Sequence, residues 1–561
     1  MNEPTANPAS AGSDAWAPLR RPVFRSLWIA SLVSSIGTWM QSMGAGWLMT
    51  ELTHSASQVA LVQAAQSLPM FLLAIPAGAL ADIIDRRRQL IFAQVWMLVF
   101  AGLLTATTYA GLTTPGWLLF STFLIGCGAA AMVPAWSASI QELVPRAELQ
   151  AAVALNGMSI NVSRAVGPAL AGLIVVWTGT ATVFLLNTLS FLAVILALRA
   201  WRRLPTPGDM PAERLLGALR TGYRYARHAP QLQRVLLRAL AFFPFASAVW
   251  ALLPLIASRE LGGDARLYGI LLGCIGAGAV AAALILPRVT RRVSRDRLVA
   301  AASLLYAGAV ASLGAHANAW AAALAMLLVG GCWMAVLSSM QVAVQTALPP
   351  WVRGRGLALY WVVLMGSMAA GSVGWGHIAE WIGIPGALAA SAAAGALVVL
   401  ATFRLRIGGH DNLDLTPSMH WPAPMPAAEP ELDAGPVLVT VEYRIRAEQV
   451  TRFLKAMRTV RRMRLRDGAS YWQIFHDTED PERLVEHFIT ESWAEHLRQH
   501  GRVTKADRDV QARIGALHSG DAPPKVTHYI AGGTRVGPAS AAGKSATGSP
   551  GHTGTPPSGR G

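Results

Sequence analysis

Arg164 is the residue whose setting most demands a chemical explanation. It stands near the middle of 151–177, a run that holds no other charge. A guanidinium at bilayer depth costs about 2.5–3.5 kcal/mol on insertion scales, so it faces a cavity or a partner. There it can bind an anion or take part in proton coupling. It can also be a structural group tied to backbone carbonyls. At helical spacing Asn156, Ser159, Ser163, Arg164, Gly167 and Ala171 share one small, polar face suited to a bundle interior. Gln63, Gln66 and Ser67 form a second polar face with Met70 and Ala74, and Gln41 shares a third with Ser34, Gly37 and Gly44. Such amides line a substrate cavity or bond neighbouring helices, and the pattern leaves both readings open. No acid lies deep in an apolar run; Glu380, with His377, falls toward the end of one. Near the C-terminus His496 and His500 sit four apart on a helix, the spacing of a metal pair, with Trp493, His476 and His487 nearby. No acid–base constellation accompanies them, so exposed polar histidines are the preferred reading. Cys127, Cys274 and Cys332 all lie inside apolar runs at no metal spacing. Neither a metal nor a cofactor is expected.

The elements that must position these groups follow from composition. The chain has 561 residues, 53% apolar and only 14% charged, where soluble domains carry about a quarter charged residues. Stretches 27–49, 57–81, 89–108 and 117–140 hold no Lys or Arg, and each exceeds or nears the roughly 20 residues that cross a bilayer. Spans are expected at 24–49, 57–81, 89–110, 116–140, 151–177, 180–199, 235–257, 267–287, 297–315, 319–345, 356–382 and 385–403. The fold class is an all-α polytopic membrane protein, twelve transmembrane helices in two six-helix halves. The net charge of +16 does not indicate nucleic acid, because the arginines cluster in short turns between apolar runs. Alternate connections carry Arg86, Arg87 and Arg88, then Arg146, Arg288–Arg297 and Arg353–Arg355; the opposite set holds only Arg259 and Arg266. The basic set faces the cytoplasm, so both termini are expected inside a bacterial inner membrane.

The chain also repeats itself. Shifted by 204 residues, 141–179 falls on 345–383 with eleven of 39 identities, among them Pro145/Pro349, Gly167/Gly371, Gly172/Gly376, Trp177/Trp381 and Gly179/Gly383. Six spans followed by six in the same orientation is a parallel repeat, which sets a substrate site between the halves near mid-membrane.

Gly78-x-Leu80-Ala81-Asp82-x-x-Asp85-Arg86-Arg87-Arg88 resembles the loop 2–3 signature of the major facilitator superfamily, with Asp85 where that pattern has Gly. Gly167-Pro168-Ala169-Leu170-Ala171-Gly172 resembles its antiporter motif. With the tail stretches "VTVEYRI", "DGASYWQIF" and "HFITESWAEHLRQHGRVTKAD", the sequence is similar to the transmembrane secretion effector branch, near enterobactin-exporter-type and macrolide-type efflux transporters. The resemblance implies a small-molecule exporter driven by proton antiport, with Asp82 locking the outward-open state through neighbouring helix ends. The alternative for the Asp82–Arg88 cluster is a plain topology-setting group of charges. Span four lacks the Arg that many proton antiporters of the superfamily carry there.

The organisation expected is a flexible N-terminus (1–22), a first bundle (23–200), a cytoplasmic linker (201–234), a second bundle (235–407), a Pro/Gly-rich linker (408–435), a small domain (436–530) and a disordered Gly/Ser/Thr/Pro-rich tail (531–561). Within the first linker, 213–228 reads as an amphipathic helix on the anionic lipid surface. The small domain reads βαββαβ, an α+β ferredoxin-like order, with one helix over 492–518. It resembles cofactor-free antibiotic-biosynthesis monooxygenases, which implies a homodimer through this domain. The leading reading is export of a small amphipathic compound; a membrane-anchored enzyme and an importer of the same fold are the alternatives.

Overall fold

The computed structural model describes residues 15–201, 215–315, 318–408, 414–422, 424, 426 and 430–532. The expected flexible N-terminus up to residue 14, linker residues 202–214 and the tail from 533 lie outside them, as does the side chain of Asp82. The chain divides into two compact units, 1–415 and 416–561.

The first unit is helical: α1 (Pro22–Leu52), α2 (Ala56–Ile83), α3 (Arg86–Tyr109), α4 (Pro115–Leu143), α5 (Leu149–Thr178), α6 (Thr180–Ala200), α7 (Leu215–His228), α8 (Pro230–Leu255), α9 (Ala265–Val289), α10 (Arg295–Ala315), α11 (Ala319–Ala347) and α12 (Pro350–Thr402). Among the described residues ten helices are long and apolar enough to cross a membrane. Their starts are set locally. Proline opens α1, α4, α8 and α12, where its missing N–H costs nothing. Side chains of Ser55, Asp85, Thr114, Asp264 and Asn318 cap α2, α3, α4, α9 and α11. The helix α7 is amphipathic and seats Tyr225 edge-on against Trp351, ring centroids 5.5 Å apart.

The repeat is visible in the backbone. Pro145 and Pro349 have nearly identical dihedrals (φ −63, ψ 158 and φ −64, ψ 156) before α5 and α12. Gly179 turns the chain from α5 to α6 at φ 85, ψ 167, and Gly383 breaks α12 at φ 76, ψ 167. Both positions need a left-handed conformation that glycine alone takes without strain. The turn expected between the last two spans is thereby reduced to one glycine. Just before these turns Trp177 and Trp381 are 76% and 81% exposed, as interface tryptophans are.

The two halves touch along two equivalent seams. A β-carbon at Gly172 of α5 would lie 2.7 Å from Ala265 O and 3.1 Å from Gly269 Cα of α9. One at Gly376 of α12 would lie 2.6 Å from Ala60 Cβ and 3.0 Å from Ser57 Cα of α2. Small residues let these backbones meet. Contact continues to Ala165 along α5, which faces Gly276, and to Phe71 along α2, which faces Gly366. Beyond, toward the arginine-rich end, a β-carbon at Gly157 or Gly78 would meet nothing within 4 Å. Among the described residues the close backbone contacts between the halves lie toward the arginine-poor end.

The second unit is a four-stranded antiparallel sheet, β1 (Val437–Arg444), β2 (Tyr471–His476), β3 (Arg483–Thr490) and β4 (Lys525–Ile530), in the order β2-β3-β1-β4. Three helices join it: α13 (Val450–Asp467), α14 (Trp493–Arg502) and α15 (Lys505–Gly515). The single helix expected over 492–518 is two. The chain extends at Val503, and Thr504 starts α15 with a reciprocal capping box to Asp507. Part of the expected linker also belongs to this unit. Ser418 N donates to Val503 O (2.8 Å), and Trp421 Nε1 donates to Gln511 Oε1 (2.9 Å). Composition marked this stretch as spacer, but the Trp421 ring lies over the Arg464 guanidinium at 4.6 Å and anchors it.

Candidate functional site

Between the halves, at their closed end, α1, α2, α8 and α9 enclose a cavity of about 40 Å³. Trp39, Ser42, Gln63, Gln66, Trp250 and Tyr268 line it among other residues. A space of that size admits a few waters. Trp39 connects it to Arg164, whose guanidinium carbon stacks 5.2 Å from the ring centroid. The Nε and Nη1 atoms of Arg164 are buried and have no hydrogen-bond partner among the described residues. Buried guanidinium nitrogens are costly when unpaired. The cation–π contact satisfies one face of the group but none of the N–H donors at Nε and Nη1.

The other candidate residues divide clearly. Gln63 and Gln66 reach the cavity, and Gln63 Nε2 donates to Ser67 Oγ at 3.2 Å. Gln41 turns toward α6, where its Oε1 accepts from Asn187 Nδ2 (3.2 Å). Asn156 faces α4 and accepts from Trp136 Nε1 (3.0 Å). Gly167 sits against α1, a β-carbon there falling 2.7 Å from Trp39 Cβ, while Pro168 and Gly172 lie on the α9 seam. Asp85 caps α3 by accepting from Arg88 N (2.9 Å). Arg86 pairs with Glu142 (2.6 Å), and Arg87 donates to the carbonyls of Leu198 (2.8 Å) and Arg199 (3.0 Å). These contacts tie α3 to the ends of α4 and α6 within the first half. Trp39, Ser42, Trp250 and Tyr268 also line the cavity, and sequence alone does not mark them, because an aromatic ring or a hydroxyl in an apolar run gives no sign of facing a cavity.

The closed end has its own polar fastening. Glu380 Oε1 accepts from Ser57 N (3.1 Å) and Ser57 Oγ (2.8 Å), and Arg259 donates to His54 O (2.9 Å). Both links join opposite halves. Among the described residues the acids of the long helices, Glu51, Glu142, Asp296 and Glu380, sit near helix ends or, for Glu380, beside the Gly383 break.

In the second unit His476 is exposed as expected, but His496 and His500 depart from expectation. His496 is 1% exposed. Its Nε2 lies 3.3 Å from His500 Nε2, and its ring is 4.7 Å from that of His528 on β4. The i, i+4 spacing correctly put two rings together; β4 supplied the cover. No group of three or more His, Cys, Asp or Glu that could hold a metal occurs among the described residues. Burial and the neighbouring imidazoles push His496 down to about 3 and His500 to about 4, from an ordinary 6.5. The folded domain therefore favours neutral rings, while the unfolded chain takes up protons below 6.5. Stability is full above that pH and falls as pH drops toward 4 and then 3. At pH 5 the loss from His496 alone is 1.5 units below 6.5, about 2 kcal/mol. Hydrogen-exchange protection factors of β1–β4 in the purified full chain, corrected for the intrinsic pH dependence of amide exchange, should fall between pH 7.5 and 5, and His496→Leu should flatten that dependence. An unchanged profile would contradict the assignment.

A bundle of two repeated halves, touching on small-residue seams with a cavity enclosed between them, defines a membrane transporter of the major facilitator type. The chain belongs to the transmembrane secretion effector family, whose model matches residues 13–536. That family makes it a multi-pass membrane transporter rather than an enzyme. It is 24% identical to the staphyloferrin A transporter of Staphylococcus aureus (strain NCTC 8325 / PS 47) over 290 residues, 51% of this chain and 72% of that one. It is 26% identical to the enterobactin exporter EntS of Salmonella typhimurium (strain LT2) over 340 residues, 60% of this chain and 80% of that one. Among solved structures it resembles a bacterial homolog of the human lysosomal transporter Spinster, in its inward-facing, occupied form (TM-score 0.53, 15% identity, 70% of this chain and 95% of that one). It also resembles the nucleoside transporter NupG in its D323A mutant (TM-score 0.57, 10% identity, 68% and 99%). These two likenesses concern the fold alone.

Proposed function

We propose that the protein is a secondary active exporter of a small amphipathic compound bearing an oxyanion, in a bacterial inner membrane. The observation that carries this is Arg164, a half-buried guanidinium beside the inter-half cavity with two buried nitrogens left without partners. In this reading α1 counts as a span and α12 as two divided at Gly383, which with α7 left out makes twelve crossings; the ten long apolar helices support it. The positive-inside rule turns the arginine-rich end to the cytoplasm and both termini with it. The described state is then inward-facing, and transport is the rocking of two halves about the cavity. Proton antiport is the coupling that the family resemblance brings. Because acids lie near the helix ends, the coupling proton is carried by a group other than a mid-membrane carboxylate. The staphyloferrin and enterobactin relatives make siderophore-like chelators the first compounds to test. The strand order of the second unit matches a ferredoxin-like domain, to which we give a regulatory or dimerising role.

The test is accumulation of such compounds in inside-out vesicles containing the protein. Uptake that requires an imposed pH gradient, acid inside, is expected, and it should collapse with a protonophore. Accumulation confined to right-side-out vesicles would make the protein an importer.

A further inference from the structure

A second cavity lies far from the transport site, at the arginine-rich end of the second half. It measures about 560 Å³ and is lined by Ser294, Arg295, Arg297 and Arg406 among others, with Phe403 on its wall. Among the described residues that line it the one acid, Asp296, is already engaged. It pairs with Arg238, which is 3% exposed (3.3 Å), and accepts from Ile407 N (2.7 Å) and Gly408 N (3.3 Å). Those bonds fix the start of α10 against the end of α12, so the walls are held apart at a set spacing. With Asp296 paired to Arg238, Arg297 and Arg406 give the cavity its positive side.

We propose that this cavity binds the headgroup phosphate of an anionic glycerophospholipid. Its place at the end of spanning helices puts it at headgroup depth, where basic hollows between helices collect anionic lipids. The apolar side of the site favours a lipid over free phosphate. Phe403 is 47% exposed, and Leu400 and Leu397 follow it up α12 at 57% and 68%. Three residues apart in sequence, they form a ridge on one helix face along which an acyl chain can lie. The arginines hold the phosphodiester through charge-assisted bonds. Because Asp296 also grips the backbone at 407–408, where α12 leaves the membrane, an occupied site braces the inner end of this half. The inference needs only the membrane fold and is independent of transport direction.

The experiment uses the full chain in detergent micelles doped with phosphatidylglycerol or phosphatidylcholine, reading the unfolding temperature against lipid mole fraction. Phosphatidylglycerol, not phosphatidylcholine, should raise it. The double variant Arg297→Gln/Arg406→Gln should need roughly tenfold to thirtyfold more phosphatidylglycerol for the same rise. Arg291→Gln/Arg292→Gln removes equal charge from the same exposed turn without touching the cavity, and its response should match the unaltered protein. Equal weakening in both double variants would reduce the effect to general surface charge and overturn the site. A rise of the same size from inorganic phosphate alone would overturn the lipid as its occupant.

Discussion

Replacing Arg164 with alanine is expected to cut transport by about 10- to 100-fold, the range of one or two charge-assisted hydrogen bonds lost to a bound anion. The same substitution should leave the unfolding temperature unchanged or slightly raised. Two of the guanidinium nitrogens are buried without partners, so removing the group relieves a desolvation cost that no internal bond offsets. A purely structural arginine predicts the reverse: loss of stability first, and loss of transport only as its consequence. Arg164→Lys should retain part of the activity, because a point charge replaces a fork that could hold an oxyanion at two atoms. Efflux from cells and thermal unfolding in detergent, measured on the same variants, separate the two readings. A destabilised Arg164→Ala protein would end the anion-site assignment.

Much of the fold was readable from charge and repetition, because lipid imposes long apolar segments and leaves cations to the turns. The repeat was readable to the level of dihedral angles: the paired glycines 179 and 383 adopt the same left-handed conformation. The site was harder to read because helical periodicity assigns a residue to a face but not to a neighbour. Gln41 and Gln63 look alike in sequence, yet one bonds Asn187 across α1 and α6 and the other reaches the cavity. Trp39, Trp250 and Tyr268 carry no distinguishing signal, since spans rich in aromatics bury most of them against other helices. The motif glycines 167 and 172 form one pattern in sequence, and only the packing gives them different partners, α1 and α9. In the tail, helical spacing sets His496 beside His500 but carries no sign of its burial, because the strand that covers it comes later in the chain.

The second large effect lies in the seams themselves. At Gly172 and Gly376 each half offers a backbone surface that tolerates no side chain in the closed-end state. The first steric partner is the Ala265 carbonyl in one seam and Ala60 in the other. A leucine at either position should therefore hold the arginine-poor end open. Overpacking of this kind costs about 1–3 kcal/mol, and each 1.4 kcal/mol moves a two-state equilibrium about tenfold. Transport should fall at least tenfold in Gly172→Leu and in Gly376→Leu, by similar amounts because the positions are repeat-related. With Cys127, Cys274 and Cys332 replaced, a cysteine introduced at Ser42 in the cavity wall should react faster with an impermeant thiol reagent added on the arginine-poor side. Gly157→Leu supplies the contrast. Nothing lies within reach of a β-carbon there now, but in the opposite state that end of α5 must approach the other half. This variant should stay closed at the arginine-poor end and protect the same cysteine. Equal labelling in Gly172→Leu and Gly157→Leu would mean that the seams are passive packing, and that closure is governed instead by the Glu380 and Arg259 fastenings.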